Sequence, residues 1–251
     1  RSDLVFHPAA AVGVTLTVEK PLESLATNIR GSEIVMEKAH KYGTKILVTS
    51  TSEIYGKNTS DRLGEEDDRI LGSPLKSRWS YSEAKAIEEI LAYTYYKQKG
   101  LSSYIVRLFN TVGPRQTGHY GMVIPRFVSQ AIRGEAITVY GDGSQTRCFC
   151  YVGDVVKALL DIVEHPEAVG RVFNIGGVGE VSIEDLAARI VELAGSDSKI
   201  RYVPYEEAYE EGFEDMQRRV PDTTRAKELI GFEPTADLDD IIRMVIDYQR
   251  S

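Results

Sequence analysis

Tyr81 and Lys85 stand four residues apart in Tyr81-Ser-Glu-Ala-Lys85, within a stretch from Arg78 to Lys99 whose apolar spacing predicts a helix. That spacing puts both side chains on one face, a turn apart. A neighbouring ammonium favours the phenolate, and so brings the tyrosine pKa down from about 10 towards neutrality, where it can serve as a general base. Alone the pair is a weak signal, because any long helix can carry Tyr and Lys four apart on a solvated face. Its neighbours sharpen it. Upstream, an apolar run over Lys45–Thr49 leads into Thr49-Ser-Thr-Ser-Glu-Ile-Tyr-Gly56, so hydroxyls emerge at the carboxyl end of a strand, where open α/β sheets bind ligands. Downstream, the run Ser103–Arg107 leads into Arg107-Leu-Phe-Asn-Thr-Val-Gly-Pro-Arg115. With the run before them, these strands and one helix aim polar groups at a single edge.

The elements that must position these groups follow from the apolar spacing. Leu4–Phe6 reads as a buried strand, Pro21–Tyr42 as a long helix stopped by Gly43, and Gly100 as the stop of the Arg78–Lys99 helix. Gly56–Ser77, rich in charge, glycine and serine, reads as a surface loop. Strands alternating with long helices imply crossovers and a parallel sheet. After Asn110 the texture changes: Gly113, Pro114, Gly118 and Gly121 break the chain. Short strands are predicted at Ile137–Tyr140, Val172–Ile175 and Ile200–Val203, and helices at Ile124–Arg133, Asp154–Glu164, Ile183–Ala194 and Leu238–Gln249. The expected fold is α/β: a Rossmann-like doubly wound parallel sheet with a smaller mixed α/β lobe. Residues 1–115 would hold most of that sheet and 116–251 mainly the lobe, with some segments returning to the sheet.

Composition sets the outer limits. The chain has 251 residues, 42% hydrophobic and 27% charged, with a formal net charge of −8. Such a balance argues against nucleic acid or an anionic membrane as partner, although a few converging arginines can still make a positive pocket. No apolar run approaches the roughly 20 residues of a membrane span, and no charged-then-apolar leader is evident, so a cytoplasmic location is expected. Cys148 and Cys150 lie two apart and would face the same way on one strand, most simply as buried free thiols. His7, His40, His119 and His165 are scattered, so no metal site is expected.

The motifs taken in order identify a family. Phe-His-Pro-Ala-Ala-Ala from Phe6, Asn28-Ile-Arg-Gly31, the Thr49–Gly56 segment, Tyr81-Ser-Glu-Ala-Lys85, Arg107–Arg115 and Val-Tyr-Gly-Asp-Gly-Ser-Gln-Thr-Arg ending at Arg147 resemble the extended short-chain dehydrogenase/reductases that act on nucleotide sugars. Arg219-Val-Pro-Asp222 and Lys227-Glu-Leu-Ile-Gly-Phe-Glu-Pro234 resemble their C-terminal signature. The resemblance implies an NAD-dependent enzyme that oxidises a UDP-sugar at C4. Tyr81 would take the 4-hydroxyl proton, Lys85 would hold the nicotinamide ribose and activate Tyr81, and Thr51 would hydrogen-bond the 4-oxygen, with Ser52 and Glu53 beside it. His7, Ala9, Ala10 and Asn28 would join Tyr81 and Lys85 in lining the cofactor. Asn110, Arg147 and Arg219 would bind the substrate's phosphates, with Arg115, Val123 and Tyr140 also on the substrate side. Read by residue type alone, Thr51 also suits a strand-end cap, Asn110 a turn, and the two arginines the surface. Asn28, a poor helix former in mid-helix, reads as a buried polar anchor. The family resemblance further implies a homodimer, packed through the Pro21–Tyr42 and Arg78–Lys99 helices.

Two departures matter. Pro8 stands where the family has leucine, and no Gly-x-x-Gly-x-x-Gly occurs in the 251 residues. In the family that turn binds the cofactor pyrophosphate at a helix N-terminus. Leu4–Phe6 corresponds to the family's fourth strand, so two βαβ units of roughly 60 residues are expected to precede this chain; a natural short form is the alternative. The second chemical step is also open. Ser52 replaces the aspartic acid of 4,6-dehydratases and disfavours dehydration. Ser52-Glu53 with Arg78-Trp-Ser-Tyr81 resembles UDP-glucuronate decarboxylases, whereas Gly113-Pro-Arg-Gln116 and Val123-Ile-Pro-Arg126 resemble UDP-hexose 4-epimerases. Epimerisation of a UDP-hexose or UDP-hexuronate leads, with decarboxylation second. A non-catalytic nucleotide-sugar sensor comes last, since a sensor needs no matched base and activator.

Overall fold

The computed structural model describes residues 2–11, 20–118, 122–208 and 216–251, so His119 and Gly121 lie outside the described residues. In chain order come β1 (Leu4–His7), α1 (Pro21–Tyr42), β2 (Lys45–Thr51), α2 (Ser80–Lys99) and β3 (Ser103–Leu108). Next are β4 (Thr111–Val112), α3 (Val123–Ile132), β5 (Ile137–Tyr140), β6 (Thr146–Cys148), β7 (Cys150–Tyr151) and α4 (Val152–Glu164). Then follow β8 (Val172–Ile175), β9 (Glu180–Ser182), α5 (Ile183–Ala194), β10 (Ile200–Val203), a single helical turn at Tyr205–Ala208, α6 (Thr224–Ile230) and α7 (Leu238–Arg250).

The long apolar runs make one parallel sheet in the order β1-β2-β3-β8. Because alternate residues of a strand face opposite ways, β2 and β3 feed two cores. Ile46, Val48 and Ile105 pack with Met36 and Ala39 of α1 and Ala92 of α2. Leu47, Tyr104 and Val106 pack on the other side with Val155, Ala158 and Ile162 of α4, Phe173 of β8 and Ala226 of α6. A strand buried on both faces must be apolar at nearly every position, as these are. Each large side chain removed from water here contributes about 1.5–3 kcal/mol. The α/β sheet wound on both faces is thus the one expected.

A third core lies apart from the sheet. Ile124, Phe127 and Val128 of α3, Leu186 and Ile190 of α5, and Ile242, Val245 and Ile246 of α7 close around Ile137 and Val139 of β5. Here β5 pairs in parallel with β10, β4 with β7, and β6 runs antiparallel to β9.

Element ends differ from expectation by small, explicable amounts. β2 continues two residues past Thr49, because its polar end is still paired to β3 at Ser50 and Thr51. α2 begins at Ser80, since Ser77–Trp79 tighten into a 3₁₀ turn. Gly43 and Gly100 end α1 and α2 in the left-handed conformation, with φ of 63° and 67°, where a Cβ is disfavoured. Cys148 and Cys150 are buried free thiols, as expected, but they sit on separate strands, one paired to β9 and the other to β4. Burial pushes both thiols up to about 12, with Glu180 adding to the effect at Cys148 and Asp154 at Cys150. No described helix is long and apolar enough to cross a membrane.

Candidate active site

The buried stripe of α1 changes character along its length. Ser24, Asn28 and Ser32 come first, then Met36 and Ala39. On α2 the buried positions are Ser82, Ala84, Lys85, Ala86, Glu88 and Glu89, followed by Ala92. Both helices therefore bury their polar side chains in the part nearest the carboxyl edge of the sheet, on α2 interspersed with two alanines. Buried polar groups carry a desolvation cost unless they are partnered, so their concentration at one edge marks a built site.

At that edge Thr51 closes β2, and its hydroxyl accepts the Glu53 N–H at 3.2 Å, capping a 3₁₀ turn over Ser52–Tyr55. The turn is fastened from two sides. Ser82 Oγ of α2 donates to the Glu53 carbonyl at 2.9 Å. Tyr55 Oη accepts from Arg107 Nη1 at 2.8 Å and donates to Asn174 Oδ1 at 2.8 Å. Arg107 is in turn forked onto Glu89 of α2, with contacts of 3.0 and 2.8 Å. A bidentate pair of this kind fixes orientation as well as charge. Sheet, helix and turn are thereby locked beneath the reactive groups.

Glu53 lies among guanidinium groups. Arg78, from the turn before α2, donates to one carboxylate oxygen, and Arg219 Nη1 reaches the other at 3.0 Å. Arg219 Nη1 also lies 3.3 Å from Ser52 Oγ. The Arg219 segment is brought there by a bridge between Leu63 and Pro221, where Leu63 N–H donates to the Val220 carbonyl at 2.8 Å. Arg147 on β6 donates to the Thr146 carbonyl at 2.8 Å, and its charge also reaches Glu53. Burial pushes the Glu53 carboxyl up, but Arg78, then Arg219 and Arg147, outweigh it and hold the group at about 2. Arg78, Arg147 and Arg219 are all buried, so the surface reading of the last two fails. Arg78 and Arg219 contact the Glu53 carboxylate directly, and the Arg147 charge acts on it as well.

Tyr81 and Lys85 occupy one stripe of α2, but the expected electrostatics are reversed. Lys85 Nζ donates to the Thr49 carbonyl at 2.6 Å and to Glu88 Oε2 at 2.5 Å, so its charge is largely answered locally. Burial, then Glu53, then Glu88 push the Tyr81 hydroxyl above its ordinary range. The depression expected from the four-residue spacing is therefore not what the surroundings produce. The spacing could not reveal the two carboxylates that act on Tyr81.

The remaining expected residues divide. His7 is buried at the end of β1, with Nε2 3.4 Å from Ser32 Oγ and 3.6 Å from Glu88 Oε1. Asn28 is the anchor its mid-helix position implied: its Oδ1 accepts the Ala11 N–H at 2.7 Å and its Nδ2 donates to the Ala11 carbonyl at 3.1 Å. That clamp fixes the segment after β1 in which Ala9 is exposed and Ala10 half-buried. Asn110 takes a left-handed φ of 32° and donates to the Cys148 carbonyl at 2.7 Å, so it is both a turn residue and a tie to the lobe. Arg115 is exposed, with φ of 70°. Val123 opens α3 half-buried, and Tyr140 ends β5 with the Arg126 guanidinium 4.4 Å from its ring centre. The three lie in the lobe segments rather than in the Glu53 cluster. Arg78, Glu88 and Glu89 were not among the expected site residues. The signal for Glu88 was available, since a Lys-x-x-Glu spacing continues the Tyr81–Lys85 stripe by one turn.

Lys85 has three N–H donors, two of them used within the chain, and it follows Tyr81 by one turn of α2 while its charge reaches His7. These residues fit the nicotinamide-ribose end of a dinucleotide. The pyrophosphate end has no counterpart in the sequence, which lacks the glycine-rich turn.

A profile described as the NAD dependent epimerase/dehydratase family matches residues 1–176. The chain belongs to that family. Among family members it is 43% identical over 249 residues to a UDP-N-acetyl-alpha-D-glucosaminuronate decarboxylase of Bacillus cytotoxicus, covering 99% of this chain and 77% of the relative. It is 36% identical over 238 residues to UDP-glucuronic acid decarboxylase 6 of Arabidopsis thaliana, covering 94% of this chain and 66% of the relative. Among solved structures it resembles the UDP-glucose 4-epimerase of Thermotoga maritima, with a TM-score of 0.88 and 32% identity over 99% of this chain and 77% of the other. A UDP-glucuronic acid 4-epimerase of Bacillus cereus, solved with UDP-glucuronic acid and NAD, gives a TM-score of 0.87 and 27% identity over 99% of this chain and 75% of the other. The epimerase/dehydratase relatives thus divide between the two reactions that the motifs left open.

Proposed function

We propose that the protein carrying this chain removes CO₂ from a UDP-hexuronate by way of a 4-keto sugar. The carrying observation is Glu53, a half-buried carboxylate held ionised between Arg78 and Arg219 immediately after Ser52. A 4-keto uronate is a β-keto acid, whose C5–C6 bond breaks when its electrons can pass to the C4 oxygen. That requires hydroxyl donors at C4, a charged pocket that fixes the uronate carboxylate and diphosphate, and control of the proton arriving at C5. Tyr81 and Thr51 supply the hydroxyls. Arg147 and Arg219 supply forked donors for anionic oxygens. Glu53 keeps the guanidiniums in place and orients the carbon skeleton. Bound NAD supplies the hydride acceptor for C4 and, when oxidised, a positive charge on its ring. Tyr81, raised by burial and two carboxylates, takes the 4-hydroxyl proton in that charged complex and returns it afterwards. The sequence motifs put epimerisation first; the Arg78 and Arg219 contacts to Glu53 and the likeness to two decarboxylases support decarboxylation instead.

Epimerisation stays as the second reading, favoured by the likeness to the two 4-epimerase structures. The test is NMR of the products formed from UDP-glucuronate, UDP-N-acetylglucosaminuronate and UDP-glucose in the presence of NAD⁺. The expected result is a UDP-pentose, or its acetamido counterpart, with equimolar CO₂. A product with its carbon count unchanged would overturn decarboxylation in favour of epimerisation. The protein also acts as a homodimer in this reading. On α1 Leu22 and Ile34, and on α2 Ile90, are exposed at 80%, 54% and 61%, apolar side chains that a second copy could cover.

A further inference from the structure

Glu88 is one of several buried ionisable groups among the described residues that the proposed reaction leaves without a role. It follows Tyr81 and Lys85 at helical spacings of four and three, so the three side chains form one stripe of α2. Both Lys85 and Glu88 are 2% exposed at the side chain, and their charged atoms are 2.5 Å apart. From β1, His7 Nε2 lies 3.6 Å from Glu88 Oε1. From α1, Ser32 faces the same carboxylate, and from β2 the Thr49 carbonyl takes another Lys85 proton at 2.6 Å. Glu89, next along α2, is committed to Arg107. Burial lowers the His7 pKa and Lys85 lowers it further, so the imidazole is neutral near pH 7 and offers Glu88 no full counter-charge. Lys85 is therefore the one cation in direct contact with Glu88 among the described residues.

We infer that Glu88 is a positioning residue that sets the basicity of Tyr81 by neutralising Lys85 and holding its ammonium against the Thr49 carbonyl. With Glu88 ionised, the tyrosine a turn away feels a compensated pair in place of a cation. With Glu88 neutral, the full Lys85 charge acts on the phenol and makes it easier to ionise. Burial raises the Glu88 carboxyl above the ordinary carboxylate range while Lys85 pulls it down, so the switch is set by local balance and not by solvent. A lysine held by a carboxylate also keeps a defined position, with one N–H left for a ligand oxygen. The inference rests on Tyr81 being the base of the proposed reaction, but its test does not require that reaction to occur.

The experiment is ¹³Cζ-tyrosine NMR titration of the protein, with the Tyr81 signal assigned by its loss in Tyr81→Phe, comparing wild type, Glu88→Gln and Glu88→Asp. In Glu88→Gln the Tyr81 resonance should begin to ionise at least about one pH unit below wild type, in line with the removal of a nearby like charge. Glu88→Asp keeps the charge and should stay with wild type, which separates charge from packing. In single-turnover reduction of bound NAD⁺, the acid limb of the rate should move to lower pH in Glu88→Gln and not in Glu88→Asp. Coincident Tyr81 curves for wild type and Glu88→Gln, or curves flat in both, overturn the inference. So does an equal displacement in both variants. If no nucleotide sugar is turned over at all, the proposed function fails while the tyrosine titration still decides the role of Glu88.

Discussion

Replacing Glu53 by glutamine removes one charge from a cluster whose energetics can be followed through pH. The folded-state pKa of about 2, against an ordinary 4.5, means that the ionised carboxyl is favoured in the folded chain over the unfolded one. At 1.36 kcal/mol per pH unit, this is worth about 3 kcal/mol. The pKa is depressed, so the stabilisation is fully present above the unfolded value and is lost as pH falls from about 5 towards 2. At pH 7 Glu53→Gln should therefore be less stable than wild type by about 3 kcal/mol, because Arg78 and Arg219 then face a neutral amide. By pH 3 more than half of that gap should have closed, as wild type protonates while the variant has nothing to lose. Urea unfolding at pH 7, 5, 4 and 3 measures it, with a common m-value confirming that the unfolded states are comparable. A gap of constant size from pH 7 to 3, or none at pH 7, would refute the ion cluster as the source of the depressed pKa. The same variant divides the two reactions. In a decarboxylase it suppresses CO₂ release from UDP-glucuronate while C4 oxidation persists as absorbance at 340 nm; in an epimerase its effect is mild.

Tyr81→Phe should lower turnover by at least about 10²-fold, the effect of losing a general acid–base group, with UDP-sugar binding by calorimetry nearly unchanged. Near-normal turnover would remove Tyr81 from the chemistry. Ile90→Lys places a charge on the exposed apolar face of α2 and should convert a two-chain species into a one-chain species by light scattering, with unchanged circular dichroism. A wild type that already runs at the mass of one chain would dispose of the dimer.

The sheet was legible in the sequence because its evidence is local. Val-Ile-Leu runs of strand length and apolar stripes of helix period need no knowledge of the partner, and β1, β2 and β3 with α1 and α2 fall within two residues of expectation. The two- and three-residue strands β4, β6, β7 and β9 were missed for the opposite reason. Their identity comes from pairing across distance, as in Arg147 against Val181, and too few residues are involved to show a period. At the site, hydroxyls at a strand end and a Tyr-x-x-x-Lys spacing were visible as residue types. That Arg78 and Arg219 converge on Glu53 was not, since they lie 25 and 166 positions away. The reversal at Tyr81 follows from this: a four-residue spacing reports one neighbour, whereas a buried phenol answers to every charge around it. Asn28 was legible through a mismatch, a poor helix former where a helix had to be, and its two bonds to Ala11 account for it.

The fourth strand of the sheet has a consequence for how the chain acquires its shape. β3 ends at Leu108, yet its neighbour β8 begins only at Val172, with α3, β5 and α4 between them. During synthesis β1, β2 and β3 leave the ribosome well before β8 exists, so the β3 edge waits with unpaired amides and carbonyls. Closing so long a loop costs entropy that no local contact repays, which makes this pairing a slow, late event. Asn174 of that strand also grips Tyr55 and the Leu63 carbonyl. The turn that carries Glu53 can be pinned early by Ser82 and Arg107, but its last ties, from Tyr55 and the Leu63 segment to Asn174, wait until β8 has been made.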